Sequence, residues 1–320
     1  MKNILVTTYP FGLVGASPVD TLNQLKKLGY KCHFNDFKRK LTSKEHVEKL
    51  RKYDPEIIIA GTERYTSAVL DNCPSLKMIS RVGIGLDAID LDECSIRGIA
   101  VENTPNAPTN AVSELTISQM LSLLRRTYVV DSEMRSGNWE RFIGREISDC
   151  CVGVIGAGRI GTSVISKLQG FRPKKILYTD LDPSRRQRTL YCRPASPIWS
   201  TKTQILEECD IITIHIPMNE DNLNYLDLKD FEILKSDAVI INTSRGGIVN
   251  ESALYDWLRE KPSASAAIDV FEKEPYDGKL ITLPNILLSP HLGSCSKTSR
   301  LQMELGAANN ALNFIRGHND

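Results

Sequence analysis

Short apolar runs recur along this chain at intervals of helical length. In the first third they fall at residues 4–7, 32–34, 57–60, 78–80 and 100–102. In the remainder they fall at 151–155, 176–179, 211–215, 238–242, 266–270 and 286–289. Runs this short, apolar throughout and separated by amphipathic stretches, predict strands buried on both faces, hence parallel sheets covered by helices on each side. Two such series predict two doubly wound α/β domains. The joint between them is Asn103-Thr104-Pro105-Asn106-Ala107-Pro108-Thr109-Asn110, rich in residues that interrupt helices and ending in a good N-cap at Asn110. A helix is predicted over 111–128, where Leu115, Met120, Leu121, Leu123 and Leu124 cover more than one face and should be largely buried. A second joint lies at 289–293, followed by a helical pattern over 297–316.

The run 151–155 leads directly into Gly156-Ala157-Gly158-Arg159-Ile160-Gly161. This is G-x-G-x-x-G between a strand and a helix-compatible segment, 162–170. The next apolar run ends in Asp180, 19 positions after Gly161. Strand, glycines, helix, strand and acid match the dinucleotide fingerprint at its required spacing. Gly156 permits the tight turn, Gly158 lets a pyrophosphate approach the backbone, and Gly161 lets the helix pack closely on the strand. The helix N-terminus offers unpaired N–H groups and a positive dipole end to the phosphates. Asp180 would accept hydrogen bonds from the adenosine ribose and repel a 2′-phosphate, favouring NAD over NADP. Arg185 and Arg186 follow closely and would blunt that preference if they reached the site; they are read as the solvated start of a helix.

Composition narrows the class. The chain has 320 residues, 41% apolar and 25% charged, with a formal net charge of +1. That balance gives no electrostatic case for nucleic acid or an anionic membrane, and no apolar stretch reaches spanning length. Residues 1–6 run straight into a strand without a signal-peptide layout, so a cytoplasmic protein is expected. The eight cysteines are scattered, with no C-x-x-C and no His/Cys cluster of metal spacing. They read as reduced thiols, Cys150-Cys151 as packing at a strand start, and no metal is expected. His33 and His46 read as surface or packing residues, as does His318, and His215 as structural.

Three later segments carry reactive side chains: Asn242-Thr243-Ser244-Arg245-Gly246-Gly247, Asp269-Val270-Phe271-Glu272-Lys273-Glu274-Pro275, and Ser289-Pro290-His291-Leu292-Gly293. All follow predicted strands, and open α/β sheets bind ligands beyond the carboxyl ends of their strands. Together with Arg81-Val82-Gly83-Ile84-Gly85-Leu86-Asp87, Asn103-Thr104-Pro105 and His215-Ile216-Pro217, these motifs resemble the D-isomer-specific 2-hydroxyacid dehydrogenase family, nearest its phosphoglycerate dehydrogenase-like branch. The resemblance covers nearly the whole chain. It implies a discontinuous substrate domain, 1–103 with 293–320, and an NAD-binding Rossmann domain, 104–292. The layout implies a cleft that closes on substrate.

The resemblance makes Arg245, Glu274 and His291 the catalytic set. Arg245 offers a planar fork for the substrate carboxylate and keto oxygen. His291 exchanges a proton with that oxygen, and Glu274 orients the imidazole. Further NAD contacts are implied at Arg159, Ile160, Ile216, Pro217, Asn222, Thr243 and Asp269, the last toward the nicotinamide carboxamide. Substrate contacts are implied at Arg81, Val82, Gly83 and Ile84. Trp139 resembles a contact across a homodimer interface; its ordinary alternative is a core aromatic. Cys295, four residues past His291, has no separate base that would make it a nucleophile.

An NAD-dependent enzyme interconverting a 2-keto acid and a D-2-hydroxy acid is therefore expected, with 3-phosphoglycerate the first candidate substrate because Arg81 matches one basic position of that branch. The loop Ala60-Gly61-Thr62-Glu63-Arg64 departs from the branch, placing Ala60 and Glu63 where basic residues are common. Hydroxypyruvate or glyoxylate is the alternative. A second class, an NAD(H)-sensing scaffold like the corepressor relatives, also fits the motifs. Feedback through an appended regulatory domain is not expected.

Overall fold

The structure is a computed structural model that describes residues 2–13, 17–182, 184–185 and 196–317. Arg186 and His318 lie outside the described residues. The chain divides into two compact units, residues 1–108 with 294–320, and residues 109–293.

The first unit contains β1 (Lys2–Val6), α1 (Ser17–Lys27), β2 (Tyr30–Phe34), α2 (Ser43–Tyr53), β3 (Ile57–Ala60), α3 (Ser67–Leu70), β4 (Met78–Arg81), α4 (Leu91–Ile96) and β5 (Ala100–Glu102). The long C-terminal helix Lys297–Gly317, α11 in chain order, belongs to the same unit. The strands form one parallel sheet in the order β2-β1-β3-β4-β5. Alternation along the strands builds two cores. Ile4, Val6, Ile57, Ile59 and Met78 pack with Leu22 and Leu25 of α1 and with Met303, Ala307 and Ala311 of α11. Leu5, Ile58, Ala60 and Ile79 face the other way, against Leu50 of α2 and Leu70 of α3. Thr42 starts α2 through a reciprocal box: its hydroxyl accepts from the Glu45 N–H while the Glu45 carboxylate accepts from the Thr42 N–H.

The second unit runs α5 (Thr109–Arg125), α6 (Thr127–Arg135), β6 (Cys151–Ile155), α7 (Arg159–Leu168), β7 (Lys175–Thr179), β8 (Ile198–Trp199), α8 (Lys202–Glu208), β9 (Ile211–Ile214), α9 (Leu228–Glu232), β10 (Val239–Asn242), α10 (Glu251–Glu260), β11 (Ser265–Ile268) and β12 (Ile286–Leu288). Its seven strands are all parallel, in the order β12-β11-β10-β9-β6-β7-β8. The chain leaves β6 toward β7 and β8, then returns to β9 on the other side of β6. The strand order therefore reverses between β6 and β9, where doubly wound sheets open a crevice for a nucleotide.

Several expectations need correction. The helix predicted over 111–128 begins at Thr109, so Asn110 lies in its first turn and is not its cap; the Asn110 amide donates to Glu114 at 2.7 Å. It stops at Arg125 because Arg126 adopts φ +46°, and a separate helix, α6, follows. Leu121 is exposed, against the expected burial, while Met120, Leu123 and Leu124 are buried. The short edge strand β8 has no counterpart among the apolar runs: its Ile198 is exposed, so it carries no buried-strand pattern. Thr104 stays with the first unit because its N–H donates to the Gly83 carbonyl at 3.0 Å and its hydroxyl accepts from the Gly83 N–H at 2.9 Å. The units thus divide at Pro108, not before Thr104.

Helix α7 packs so tightly on β6 that a Cβ on Gly161 would collide with the Gly156 carbonyl and touch Val154 Cγ1 at 3.4 Å. Neither the carbonyl nor the strand can yield without moving the turn. Gly161→Ala should cost about 1–3 kcal/mol of stability, read from urea unfolding midpoints, and weaken NADH binding in fluorescence titration. Unchanged stability would show that the turn has slack the geometry does not reveal.

Candidate active site

Where β6 ends, Gly156 takes φ +94°, a conformation costly for any side chain, and an added Cβ would sit 2.6 Å from the His215 carbonyl oxygen. At Gly158 the nearest atom to an added Cβ is Arg185 Nη1, at 3.3 Å. This glycine leaves the backbone approachable, whereas Gly156 and Gly161 are required by packing. Arg159 stands exposed at the first position of α7, and Ile160 is half-buried beside it. Helix α7 starts directly after this turn, with Gly158 as its N-cap, and the unpaired N–H groups of a helix N-terminus favour an anion.

Asp180 follows β7 with its carboxylate largely enclosed. It accepts from the Ala157 N–H of the glycine turn at 2.6 Å, from the Asp182 N–H at 2.9 Å and from Arg185 Nη1 at 2.9 Å. The acid expected to read the ribose is thus fastened to the turn. Arg185 corrects the sequence reading. It is no solvated helix start but an ion-pair partner of both Asp180 and Asp182, with its guanidinium over Gly158. Spacing alone did not reveal this, because an arginine five residues past an acid is equally at home on a surface helix.

Across the strand reversal, the His215 N–H donates to the Ile155 carbonyl at 2.7 Å and its Nε2 lies 3.0 Å from Thr213 Oγ1. Enclosure of its ring pushes the His215 imidazole down to about 3, so it is neutral and structural. Ile216 is buried and Pro217 exposed, and the buried Asn222 amide donates back to the Pro217 carbonyl at 2.8 Å.

The segments around Asp269 and His291 meet at one buried carboxylate, and the Arg245 segment is tied to the same residue through the Asp269 N–H, which donates to the Asn242 carbonyl at 3.0 Å. Asp269 has no exposed surface. Its Oδ1 accepts from the Ser289 hydroxyl at 2.5 Å and the Leu292 N–H at 2.7 Å, and its Oδ2 from the Gly293 N–H at 2.8 Å. Its own carbonyl accepts from the His291 N–H at 2.9 Å. Burial raises the Asp269 carboxyl above its ordinary range, opposed by these donors and by the nearby His291. The sequence reading assigned Asp269 to the nicotinamide; its grip on residues 289–293 was not legible, since it joins segments twenty residues apart. Ser289 was missed for the same reason.

Held at both ends, His291 adopts φ +55° and presents Nδ1 to both oxygens of Glu274, at 3.1 and 3.0 Å. The same Glu274 carboxylate accepts from the Phe271 N–H at 3.2 Å, which fixes its rotamer. Arg245 follows β10 in a turn built by Asn242, whose side chain donates to the Arg245 carbonyl at 2.9 Å and accepts from the Ser244 hydroxyl at 2.6 Å. The Arg245 Nη1 donates to the Ser244 carbonyl at 2.6 Å. Gly246 is required next, because a Cβ there would overlap the Phe271 carbonyl; this pins the Arg245 turn to the strand that leads to Glu274. Thr243 Oγ1 lies 3.1 Å from Thr116 Oγ1 of α5.

In the first unit, Arg81 closes β4 and folds onto its own loop, donating to the carbonyls of Val82 and Gly85. Val82 is buried, Gly83 takes φ +141°, and Asn103 holds the Ile84 carbonyl at 2.7 Å. At the end of β3, Glu63 is buried and accepts from the Thr7 hydroxyl at 2.8 Å, while Arg64 is exposed. His46 is buried and His33 stacks on Tyr53 at 3.9 Å between ring centroids. Cys295 and Trp139 are exposed, the latter 76%, which removes Trp139 from the core.

Residues 117–293 match the family model for the NAD-binding domain of the D-isomer specific 2-hydroxyacid dehydrogenases. The chain belongs to that family. It is an oxidoreductase acting on CH–OH donors, with NAD as its cofactor. It is 33% identical over 281 residues to a glyoxylate reductase of Thermococcus litoralis, covering 85% of this chain and 83% of the relative. It is 32% identical over 280 residues to a D-3-phosphoglycerate dehydrogenase of Methanocaldococcus jannaschii, covering 87% of this chain but 52% of the relative. The crystal structure of the TT0316 protein from Thermus thermophilus superposes with a TM-score of 0.84 at 27% identity, covering 98% of this chain and 97% of that one. Among the described residues no helix is long and apolar enough to cross a membrane.

The Asp180–Arg185 pair sets an expectation for cofactor choice. A cation on the acid offsets the repulsion of a 2′-phosphate. Arg185→Ala should therefore raise the ratio of kcat/KM for NADH over NADPH by about tenfold, measured by steady-state kinetics with each coenzyme. An unchanged ratio would show that Arg185 has no part in the choice.

Proposed function

We propose that this dehydrogenase reduces a short, unphosphorylated 2-keto acid of the glyoxylate or hydroxypyruvate type to the D-2-hydroxy acid, with Arg245, Glu274 and His291 as its catalytic residues. The observation that carries the chemistry is the seating of His291 Nδ1 on both oxygens of Glu274. With Nδ1–H donated to the carboxylate, Nε2 is the nitrogen that exchanges a proton with the substrate. NADH, when bound, would supply a hydride to the keto carbon. The proton from His291 Nε2 goes to the keto oxygen, and solvent restores it. Glu274 accepts from Nδ1–H and holds the ring in one orientation. Arg245 pairs with the substrate carboxylate through a bidentate fork and draws electron density from the keto oxygen. Gly156, Gly158, Gly161 and Asp180 would hold the nucleotide.

Glu63 supports a substrate without phosphate. It is a buried carboxylate on the loop that follows β3, at the carboxyl end of a parallel sheet, where open sheets receive ligands. A dianionic phosphate near that loop meets like charge, and Nε and Nη1 of Arg81 are engaged by the carbonyls of their own loop. The reading of 3-phosphoglycerate as first candidate rested on Arg81; this geometry favours the smaller substrates. The exposed Trp139, together with Phe142 and Ile143 at 40% and 94% exposure, supports a homodimer, and composition supports a cytoplasmic location.

A panel of 2-keto acids with NADH tests the reading. Glyoxylate or hydroxypyruvate should give kcat/KM about a hundredfold above 3-phosphohydroxypyruvate, and Glu63→Gln should narrow that gap by about tenfold. A preference for the phosphorylated acid would overturn the substrate assignment, and no turnover with any member would favour the NAD(H)-sensing alternative.

A further inference from the structure

Away from the site described above, two cysteine sulfurs lie in contact in the second unit. Cys151 opens β6 and Cys209 ends α8, and their Sγ atoms are 3.5 Å apart. The backbone around them is locked. The Cys151 N–H donates to Asp210 Oδ2 at 2.7 Å, and the Cys151 carbonyl accepts from the Asp210 N–H at 2.8 Å, so the residue next to Cys209 is tied to Cys151 in both directions. Gly153 makes room for the pair: a Cβ there would stand 3.0 Å from Cys209 Sγ. The neighbouring Cys150 points elsewhere, its thiol 3.3 Å from the Glu146 carbonyl.

The two thiols are unequal. Cys151 is half-buried and Cys209 fully buried. Hydrogen bonding from Cys209 holds the Cys151 thiol below its ordinary value; the cations Lys175 and Lys235 act in the same direction, while burial and Asp210 oppose them. The same hydrogen bond and deeper burial push the Cys209 thiol up. A less buried sulfur whose thiol is held below its ordinary value, in contact with a fully buried one, is the arrangement of an attacking and a resolving cysteine.

We propose that Cys151 and Cys209 form a redox-active dithiol that low-molecular-weight disulfides oxidise to an intramolecular disulfide. In the first step the Cys151 thiolate attacks one sulfur of oxidised glutathione, forming a Cys151–glutathione mixed disulfide and releasing one glutathione thiolate. In the second, Cys209 loses its proton to that leaving thiolate and attacks Cys151 Sγ, breaking the mixed disulfide and releasing the second glutathione. Two cysteines are oxidised, one external disulfide is reduced to two thiols, and no other reactant is needed. The sulfurs close from 3.5 Å to about 2.05 Å by side-chain displacement. The new bond clasps the start of β6 to the end of α8 and encloses the whole glycine turn, α7 and β7 in one covalent loop.

Thiol counting with peptide mapping by non-reducing mass spectrometry tests this on the whole enzyme incubated with a graded ratio of oxidised to reduced glutathione. The wild type should lose two thiols together, recovered as a Cys151–Cys209 cross-linked peptide, and its Tm should rise by several degrees because the unfolded chain is constrained. Cys209→Ser should stop at the mixed disulfide on Cys151, and Cys151→Ser should leave Cys209 reduced. The proposal is overturned if both cysteines stay reduced in wild-type enzyme under ratios that glutathionylate the exposed Cys295, or if either pairs with another cysteine instead. The wild-type map stands alone should a variant fail to fold.

Discussion

One buried carboxylate governs the geometry of the candidate active site. A fully enclosed Asp269 is unfavourable unless donors surround it, and the donors it finds are Ser289 and the backbone of Leu292 and Gly293. Satisfying that carboxylate forces residues 289–293 into a tight return, and the return places His291 in the left-handed region, where a side chain stays only when its surroundings over-determine it. Because Ser289, Leu292 and the His291 N–H are all pinned to Asp269, the backbone sets the approach of the imidazole to Glu274. The same end of the sheet carries Arg245, whose turn is shaped by the Asn242 side chain and closed against Phe271 at Gly246. Preorganisation here is a matter of hydrogen-bond satisfaction in the second unit alone.

The nucleotide end obeys a different constraint, close packing. Gly156 and Gly161 are dictated by neighbouring backbone, and Gly158 by approachability. The family match for an NAD-binding domain covers this cradle and the whole region through Gly293. Fold and cofactor therefore rest on sterics, whereas the proposed acid–base chemistry rests on the polar network downstream of β11.

Much of this was legible in the sequence for identifiable reasons. Strands buried on both faces show as unbroken apolar runs, so Ile57–Ala60 and Cys151–Ile155 appear in the sequence at their observed bounds. The glycine fingerprint is legible because each position has its own steric cause. What stayed hidden were relations across chain segments. The ion pair of Arg185 with Asp180, the hold of Asp269 on Ser289 and the sulfur contact of Cys151 with Cys209 depend on where strands end in space, and no local periodicity encodes that. Strand β8 escaped notice because an edge strand has an exposed face, and the break at Arg126 because nothing about an arginine announces positive φ.

The claim at the centre is that Asp269 acts through the His291–Glu274 pair. A double-mutant cycle in single-turnover NADH oxidation, with saturating coenzyme and glyoxylate, addresses it directly. Asp269→Asn and Glu274→Gln should each slow the transfer step by about a hundredfold, and the double variant should be slower than the slower single one by no more than about threefold. Rate losses that multiply, to about ten-thousandfold in the double variant, would mean that the two carboxylates act independently and would contradict the account.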